Sequence, residues 1–215
     1  GFLTMSMGTS GTLYGYSDKP INDPENGLSG FCSSTGGWLP LLCTMNCTVA
    51  TEFVRGLLSL DLKDLDSVAS KAPCGSEGVI VLPFFNGERT PNLPNGRASI
   101  TGLTTVNTNR ENIARASLES AVFAMRGGLE AFRKLGFQPK EIRLIDKKKK
   151  SPVWRQIAAD VMNLPIKIPV LDEAAALGGA VQALWCLKNQ TGSCDIAEYS
   201  NVTIQQNGRW DNAVT

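Results

Sequence analysis

Short apolar runs typical of strands alternate along this chain with longer segments whose apolar residues have helical spacing. Phe2–Ser6 and Thr12–Tyr16 flank a small, flexible turn and predict a hairpin. Val79–Phe85 is almost continuously apolar and predicts a buried strand. The clearest helix begins where Thr108 and Glu111 form the pattern of a capping box. Alternation of this kind predicts an α/β or mixed α+β layered fold.

The remaining elements follow from the same patterns of spacing and turn residues. The predicted helices are 38–60, a short one within 63–78, 108–135, one that starts at Ser151-Pro152, and 172–187. The further predicted strands are 142–145 and 166–170, and the predicted loops are 17–29 and 86–96. Gly127-Gly128 within the longest helix indicates either a bend or a closely packed neighbour.

Composition excludes several classes of function. The 215 residues contain no histidine, which removes Ser-His-Asp and Cys-His catalysis and histidine metal sites within this chain. The net charge of +1 favours neither nucleic acid nor an anionic membrane as partner. No apolar run approaches the ~20 residues that span a bilayer. Gly1–Thr12 lacks the basic region of a signal peptide, and its abrupt start suggests a fragment of a longer protein. The six cysteines are interpreted as buried or incidental thiols.

Three segments carry possible binding chemistry. The turn Gly8-Thr9-Ser10-Gly11 offers backbone N–H groups and two hydroxyls without bulky side chains, which suits an anion, although an ordinary hairpin turn explains it too. The run Lys147–Lys150 is either a solvated loop or a polyphosphate contact. Glu88 and Arg89 follow a predicted strand, where both ligand binding and structural pairing stay open. Neither a P-loop nor a dinucleotide-binding glycine motif is present.

One longer pattern resembles a known family. Ala98-x-Ile100-x-Gly102-Leu103, then eight residues, then Asn112-Ile113-x-x-Ala116-Ser117-Leu118-Glu119, is similar to the second signature of the FGGY carbohydrate kinases at ten specified positions. The hairpin turn resembles the phosphate-binding hairpin of that family. Segments 82–91, 151–161 and 173–180 resemble its xylulokinase branch. The resemblance extends in order from Met5 to Trp185.

The resemblance implies a fold and an activity. The implied fold is a ribonuclease-H-like domain of the actin and hexokinase type, with a mixed sheet flanked by helices. Residues 1–187 would be the C-terminal, nucleotide-binding domain and 188–215 a polar tail, with the N-terminal sugar-binding domain absent from this chain. The implied reaction is phosphorylation of D-xylulose to D-xylulose 5-phosphate by ATP with Mg²⁺, in a cytoplasmic enzyme that could form a homodimer. The alternatives are a non-catalytic nucleotide-binding or interaction domain and a kinase for another sugar such as gluconate.

The resemblance also implies which residues meet the nucleotide. Gly8, Thr9, Ser10 and Gly11 would face the β- and γ-phosphates, and Ser151 would lie near the adenine. The segment from Ser33 through Gly36 and Gly37 would lie beside the ribose and phosphates. The catalytic Asp of the family would lie upstream of Gly1, so no catalytic residue is expected in this chain. Lys147 stands where the family has a glycine-rich turn beside the nucleotide, and the long cations there are expected to hinder adenosine more than they attract phosphate.

Overall fold

The computed structural model describes residues 1–145, 151–169, 173–190, 192 and 195, and the backbone of 210–214. Within these residues a large sheet and a small two-stranded sheet are joined by helices. The strands are β1 Phe2–Met7, β2 Gly11–Tyr14, β3 Leu28–Cys32, β4 Trp38–Thr44, β5 Ile80–Leu82, β6 Ser99–Thr101, β7 Glu141–Ile145, β8 Ile166–Pro169 and β9 Trp210–Val214. The helices are α1 Thr48–Leu57, α2 Leu65–Ala69, α3 Arg110–Lys134, α4 Pro152–Met162 and α5 Ala174–Asn189.

The large sheet is mixed, in the order β3-β4-β2-β1-β7-β8-β9. The β1–β2 hairpin is antiparallel, as the sequence predicts, and β2 pairs antiparallel with β4. On the other side β1 runs parallel to β7, and β7 runs parallel to β8. The carboxyl ends of β1, β7 and β8 therefore lie at the same edge of the sheet. The predicted α/β class with a mixed sheet flanked by helices is confirmed.

The core lies between one face of this sheet and the helices α2, α3 and α4. Alternate residues of β1, among them Leu3 and Met5, are fully buried against α3 residues such as Met125 and Phe132. This alternation follows from the two-residue period of a strand, which directs one set of side chains inward. The rigid sheet that results fixes the turns that leave its edge.

The prediction of a helix over Trp38–Leu60 is wrong in its first half. Trp38–Thr44 is the strand β4, in which Pro40, Leu42 and Thr44 are buried with the two-residue period of a strand. Only α1, from Thr48, has the helical spacing that the sequence suggests. The pairing of β4 between β2 and β3 satisfies its backbone, so tertiary context overrides the run of leucines.

Two further predictions need correction. Within Val79–Phe85 only Ile80–Leu82 forms a strand, and it is half-exposed because it pairs with β6 alone in the small sheet, where Val81 faces α3. The long helix is capped by Asn109 rather than Thr108, since the Asn109 side chain accepts a hydrogen bond from Asn112 N at 2.8 Å. Thr108 donates instead to the carbonyl of Thr104.

The C-terminal elements differ from expectation in extent. The predicted helix 172–187 is α5, Ala174–Asn189, and a Cβ built at Gly178 or Gly179 would meet no described atom within 4 Å. In the predicted polar tail, Trp210–Val214 forms β9 and pairs with β8. The domain boundary at 187 stays a prediction. No described helix is long and apolar enough to cross a membrane.

Candidate functional site

The tip of the β1–β2 hairpin stands at the edge where the parallel strands have their carboxyl ends. Gly8, Thr9 and Ser10 form the turn between Met7 and Gly11. β7 ends at Ile145, which pairs with Ser6 beside this turn, and α4 begins shortly afterwards at the same edge. Binding groups in α/β sheets collect at this edge because the strands present their loops together there.

The backbone of the tip leaves two adjacent N–H groups without a partner. Cys47 N donates to the carbonyl of Thr9 at 3.1 Å, and Thr48 N donates to the carbonyl of Gly8 at 2.9 Å. In a planar trans peptide the C=O and the N–H point in opposite directions. The N–H groups of Thr9 and Ser10 therefore point away from Cys47 and Thr48, and neither has a hydrogen-bond acceptor among the described residues.

The base of the tip is closed around Thr44. Its hydroxyl accepts from Gly11 N at 3.2 Å and lies 3.4 Å from the Gly11 carbonyl. A Cβ on Gly11 would lie 2.8 Å from this hydroxyl and 3.0 Å from the Met125 sulfur, so no larger residue fits at this position without movement. Gly8 differs, because a Cβ there would meet only the Ser10 carbonyl, at 3.6 Å. Gly11 thus allows the close packing of the turn against Thr44 and Met125, while the absence of a side chain at Gly8 leaves open space beside the turn.

A second loop holds the segment Cys43–Thr48 from its other side. The buried Glu88 carboxylate accepts from Met45 N at 2.6 Å, from Arg89 N at 2.7 Å and from the Asn46 side-chain amide at 3.0 Å. The Thr90 hydroxyl donates to the Cys43 carbonyl at 2.9 Å. The sequence left open whether Glu88 binds a ligand or pairs within the fold. The structure shows pairing within the fold, with main-chain and side-chain amide donors in place of a salt bridge.

The segment Ser33–Gly37 is not brought together with the hairpin tip. It connects β3 to the start of β4, whereas the tip lies beside Thr44 at the end of β4. Seven residues of β4 separate the two ends, which corresponds to about 20 Å. Ser33 and Gly36 form an internally hydrogen-bonded turn, and Gly37 lies under the Tyr16 ring, where a Cβ would approach to 2.4 Å. A contact of Ser33, Gly36 and Gly37 with the nucleotide stays a prediction.

Ser151 lies at the tip's edge of the sheet but its hydroxyl is already engaged. Ser151 caps α4 by accepting from Trp154 N at 3.1 Å and donates to Asp66 of α2 at 2.9 Å. The predicted cap is confirmed, and a contact between Ser151 and a nucleotide stays a prediction. Lys147 and the rest of 146–150 lie outside the described residues.

Two polar residues of the signature pattern, Asn112 and Glu119, bind the loop that precedes β5. The Glu119 carboxylate pairs with Arg115 at 2.7 Å and accepts from Gly75 N and the Ser76 hydroxyl, both at 3.0 Å. Asn112 donates to Glu77 at 2.7 Å. All of these contacts fix the 72–77 loop against α3, because buried polar groups require partners.

The described ionisable groups with shifted pKa values belong to the scaffold. Burial raises the pKa of Tyr14, an effect that a hydrogen bond with Thr4 partly offsets. Hydrogen bonds from Arg126 hold the pKa of Glu130 below its ordinary value. In the described part of the chain, no cluster of three or more carboxylate or thiol ligands is arranged for a metal ion. The tip itself offers the amide and hydroxyl donors of Thr9 and Ser10, which suit a ligand with anionic oxygens.

Sequence reasoning found the tip but missed the segment that holds it. Cys43–Thr48 carries no motif, and two of the bonds by which it holds the tip come from the backbone N–H groups of Cys47 and Thr48, which any residue except proline supplies. The one available signal was Glu88 in a loop after a strand, which the sequence marks without indicating its partners.

Comparison with known proteins relates this arrangement to sugar kinases. The sequence profile of the FGGY family of carbohydrate kinases, C-terminal domain, matches residues 3–187. Xylulose kinase of Haemophilus influenzae is 46% identical over 209 residues, which cover 97% of this chain and 42% of that protein. Gluconokinase of Bacillus subtilis is 25% identical, over 91% of this chain and 40% of that protein.

The fold has the same relatives. The crystal structure of xylulose kinase from Bifidobacterium adolescentis superposes with a TM-score of 0.78 at 38% identity, over 88% of this chain and 37% of that one. The expected actin- and hexokinase-like α/β fold is thereby confirmed. The chain spans about two fifths of the length of the curated relatives it matches. It belongs to the FGGY family of carbohydrate kinases and corresponds to their C-terminal domain.

Proposed function

We propose that this chain is the nucleotide-binding half of an ATP-dependent kinase that phosphorylates D-xylulose to D-xylulose 5-phosphate. The observation that carries the proposal is the pair of adjacent unpartnered N–H groups at Thr9 and Ser10. Successive N–H groups of this kind form a concavity that binds anionic oxygens. The hydroxyls of the same two residues add donors with adjustable direction, so the tip suits the β- and γ-phosphates of ATP.

The chemistry required of the tip is positioning and charge stabilisation. Phosphoryl transfer needs little covalent participation by the protein, and donors fixed before the reaction stabilise the charge on the transferring group. Mg²⁺ bound together with ATP would neutralise developing charge. By family resemblance, the base that takes the sugar hydroxyl proton is an Asp outside this chain.

D-xylulose is favoured as the acceptor by the 46% identity to the Haemophilus influenzae xylulose kinase. Gluconate is the second candidate, because a gluconokinase is also a relative, at 25% identity. The third interpretation is a non-catalytic nucleotide-binding domain. For the protein in the cell we propose a cytoplasmic enzyme without nucleic-acid or membrane partners, in line with the net charge of +1. A homodimer stays a prediction.

An assay of ADP release tests the proposal. Residues 1–215 are joined to the part of the Haemophilus influenzae enzyme that the chain does not match, and D-xylulose is supplied as the acceptor. We expect turnover with D-xylulose at about 1–100 s⁻¹, as for kinases in general. The 215-residue chain alone should show no sugar phosphorylation, since loss of a general base costs ~10²–10⁴-fold. Binding of ATP by the joined protein without turnover of D-xylulose supports the third interpretation.

A further inference from the structure

The Glu88 carboxylate is buried to a degree that requires an explanation. Only 1% of the residue is exposed, and no lysine or arginine side chain among the described residues pairs with it. A buried carboxylate is costly unless hydrogen bonds replace its water. Here the replacement comes from Met45 N, Arg89 N and the Asn46 amide. The donors therefore converge on one point between the 87–90 loop and the segment Cys43–Thr48.

The orientation of Asn46 shows how closely this point is specified. Its side-chain nitrogen donates both to Glu88 at 3.0 Å and to the carbonyl of Gly87 at 2.6 Å. A rotated amide would place its oxygen against these two acceptors, so the rotation is excluded. The amide oxygen of Asn46 is left buried without a partner among the described residues, which is a cost that the contact with Glu88 and Gly87 offsets.

The opposite side of the same segment holds the hairpin tip. Met45 and Asn46 contact Glu88, and the next two residues, Cys47 and Thr48, donate to the carbonyls of Thr9 and Gly8. Each of these carbonyls belongs to the same rigid peptide unit as one of the unpartnered N–H groups. Four consecutive residues, Met45 to Thr48, therefore link the Glu88 carboxylate to the peptide units that carry the two free donors.

We propose that Glu88 is a positioning residue that orients the Thr9 and Ser10 N–H groups toward phosphate. The proposal rests on the proposed function of the tip and extends it by naming the group that prepares the tip. Loss of the carboxylate frees Met45 and Asn46, and the N–H groups of Cys47 and Thr48 then no longer hold the tip in one orientation. Glutamine has the shape of glutamate but carries an N–H group toward either Met45 N or the Asn46 amide, so Glu88→Gln loses one of these contacts with little change in volume.

Amide hydrogen exchange in the 215-residue chain, measured by NMR, tests the positioning directly. In Glu88→Gln the amides of Cys47 and Thr48 should exchange at least about tenfold faster, the factor that corresponds to ~1.4 kcal/mol. Ser76→Ala is the matched control, because it also removes a buried hydrogen bond to a carboxylate, Glu119, at a different loop. The control should leave the exchange of Cys47 and Thr48 unchanged. Thr90→Val removes the hydrogen bond to the Cys43 carbonyl and, like Glu88→Gln, should speed amide exchange at Cys47 and Thr48.

A titration with inorganic tripolyphosphate supplies the functional readout. In the unaltered chain the Thr9 and Ser10 amide resonances should shift, and Glu88→Gln should weaken this binding at least tenfold while Ser76→Ala does not. Unchanged exchange at Cys47 and Thr48 in the folded Glu88→Gln chain overturns the proposal, as does an equal increase in Ser76→Ala. If Glu88→Gln does not fold, Thr90→Val decides by the same criteria. If the unaltered chain gives no shift at Thr9 and Ser10, the proposed function of the tip fails, while the exchange rates still decide the role of Glu88.

Discussion

At the scale of single residues, one side chain decides where the longest helix begins. Asn109 lies just before α3 in an extended conformation, and its side chain accepts from Asn112 N. The neighbouring Thr108 bonds backward to Thr104. The first free N–H groups of a helix need such acceptors, and the residue that supplies one stabilises the helix.

Replacement of Asn109 by Ala should therefore destabilise the chain by about 1 kcal/mol, the usual value for an N-cap. Thr108→Ala is the matched comparison and should cost less, since it removes no acceptor from the start of the helix. Urea unfolding of both variants measures the difference. A larger loss of unfolding free energy in Thr108→Ala than in Asn109→Ala would favour the capping box that the sequence suggests and contradict the observed cap.

Glu141 gives the chain a predictable response to acid. Burial raises the pKa of its carboxyl, but hydrogen bonds from Lys167 at 2.5 Å and Arg143 at 3.1 Å outweigh this, and the net pKa is lowered. A lowered pKa in the folded state means that the contribution to stability is present above the unfolded value, near 4.5, and is lost as the pH falls through the folded value.

Glu141→Gln should lower the free energy of unfolding by about 0.5–1 kcal/mol near neutral pH. The difference from the unaltered chain should shrink as the pH falls below the unfolded value near 4.5 and through the lowered pKa of Glu141 in the folded state. Thermal unfolding of both chains across this range measures the effect. If the difference in unfolding free energy between the two chains stays constant with pH, the charge of the Glu141 carboxylate contributes nothing to stability.

At the scale of secondary structure, the two central glycines of α3 have different environments. A Cβ on Gly128 would lie 2.8 Å from Leu42 of β4, so this glycine lets the helix approach the sheet. A Cβ on Gly127 would meet no described atom within 4 Å. Of the two explanations that the sequence allows, a close neighbour is thus confirmed at Gly128.

The adjacent glycines form a matched pair of variants. Gly127→Ala should raise the free energy of unfolding by roughly 0.5–1 kcal/mol, because alanine restricts the unfolded chain and favours the helix. Gly128→Ala should lower it by about 1–3 kcal/mol through overpacking against Leu42. Chemical denaturation of each variant is the measurement, and effects of the same sign would contradict the described packing of α3 on β4.

The elements also show which parts of a fold a sequence specifies locally. The hairpin, α3 and the cap at Ser151 were predictable because spacing, caps and turn residues act within a few positions of each other. β4 was not, because its pairing with β2 and β3 connects distant parts of the chain. For the same reason the tip was predictable as a turn rich in donors, while the Glu88 contact, 43 residues from Met45, was not.

At the scale of the whole molecule, the mixed sheet is a frame that brings the hairpin tip and the start of α4 to one edge. The family match covers residues 3–187 and the relatives are more than twice as long as the chain. Under the proposed function, this chain binds the ATP phosphates, whereas the sugar and the base belong to the part of its relatives that the chain does not match.

The measurement that tests this assignment most directly is the affinity of Gly8→Val for ATP. A Cβ at Gly8 would meet only the Ser10 carbonyl, at 3.6 Å, so we expect the fold to tolerate valine there, whereas the added bulk occupies the space beside the free N–H groups of the tip. Calorimetric titration uses the protein that joins residues 1–215 to the unmatched part of the Haemophilus influenzae enzyme. The account predicts at least tenfold weaker binding of ATP, about 1.4 kcal/mol, with an unchanged melting temperature. Unchanged ATP affinity in a folded Gly8→Val protein would contradict the assignment of the tip to the phosphates.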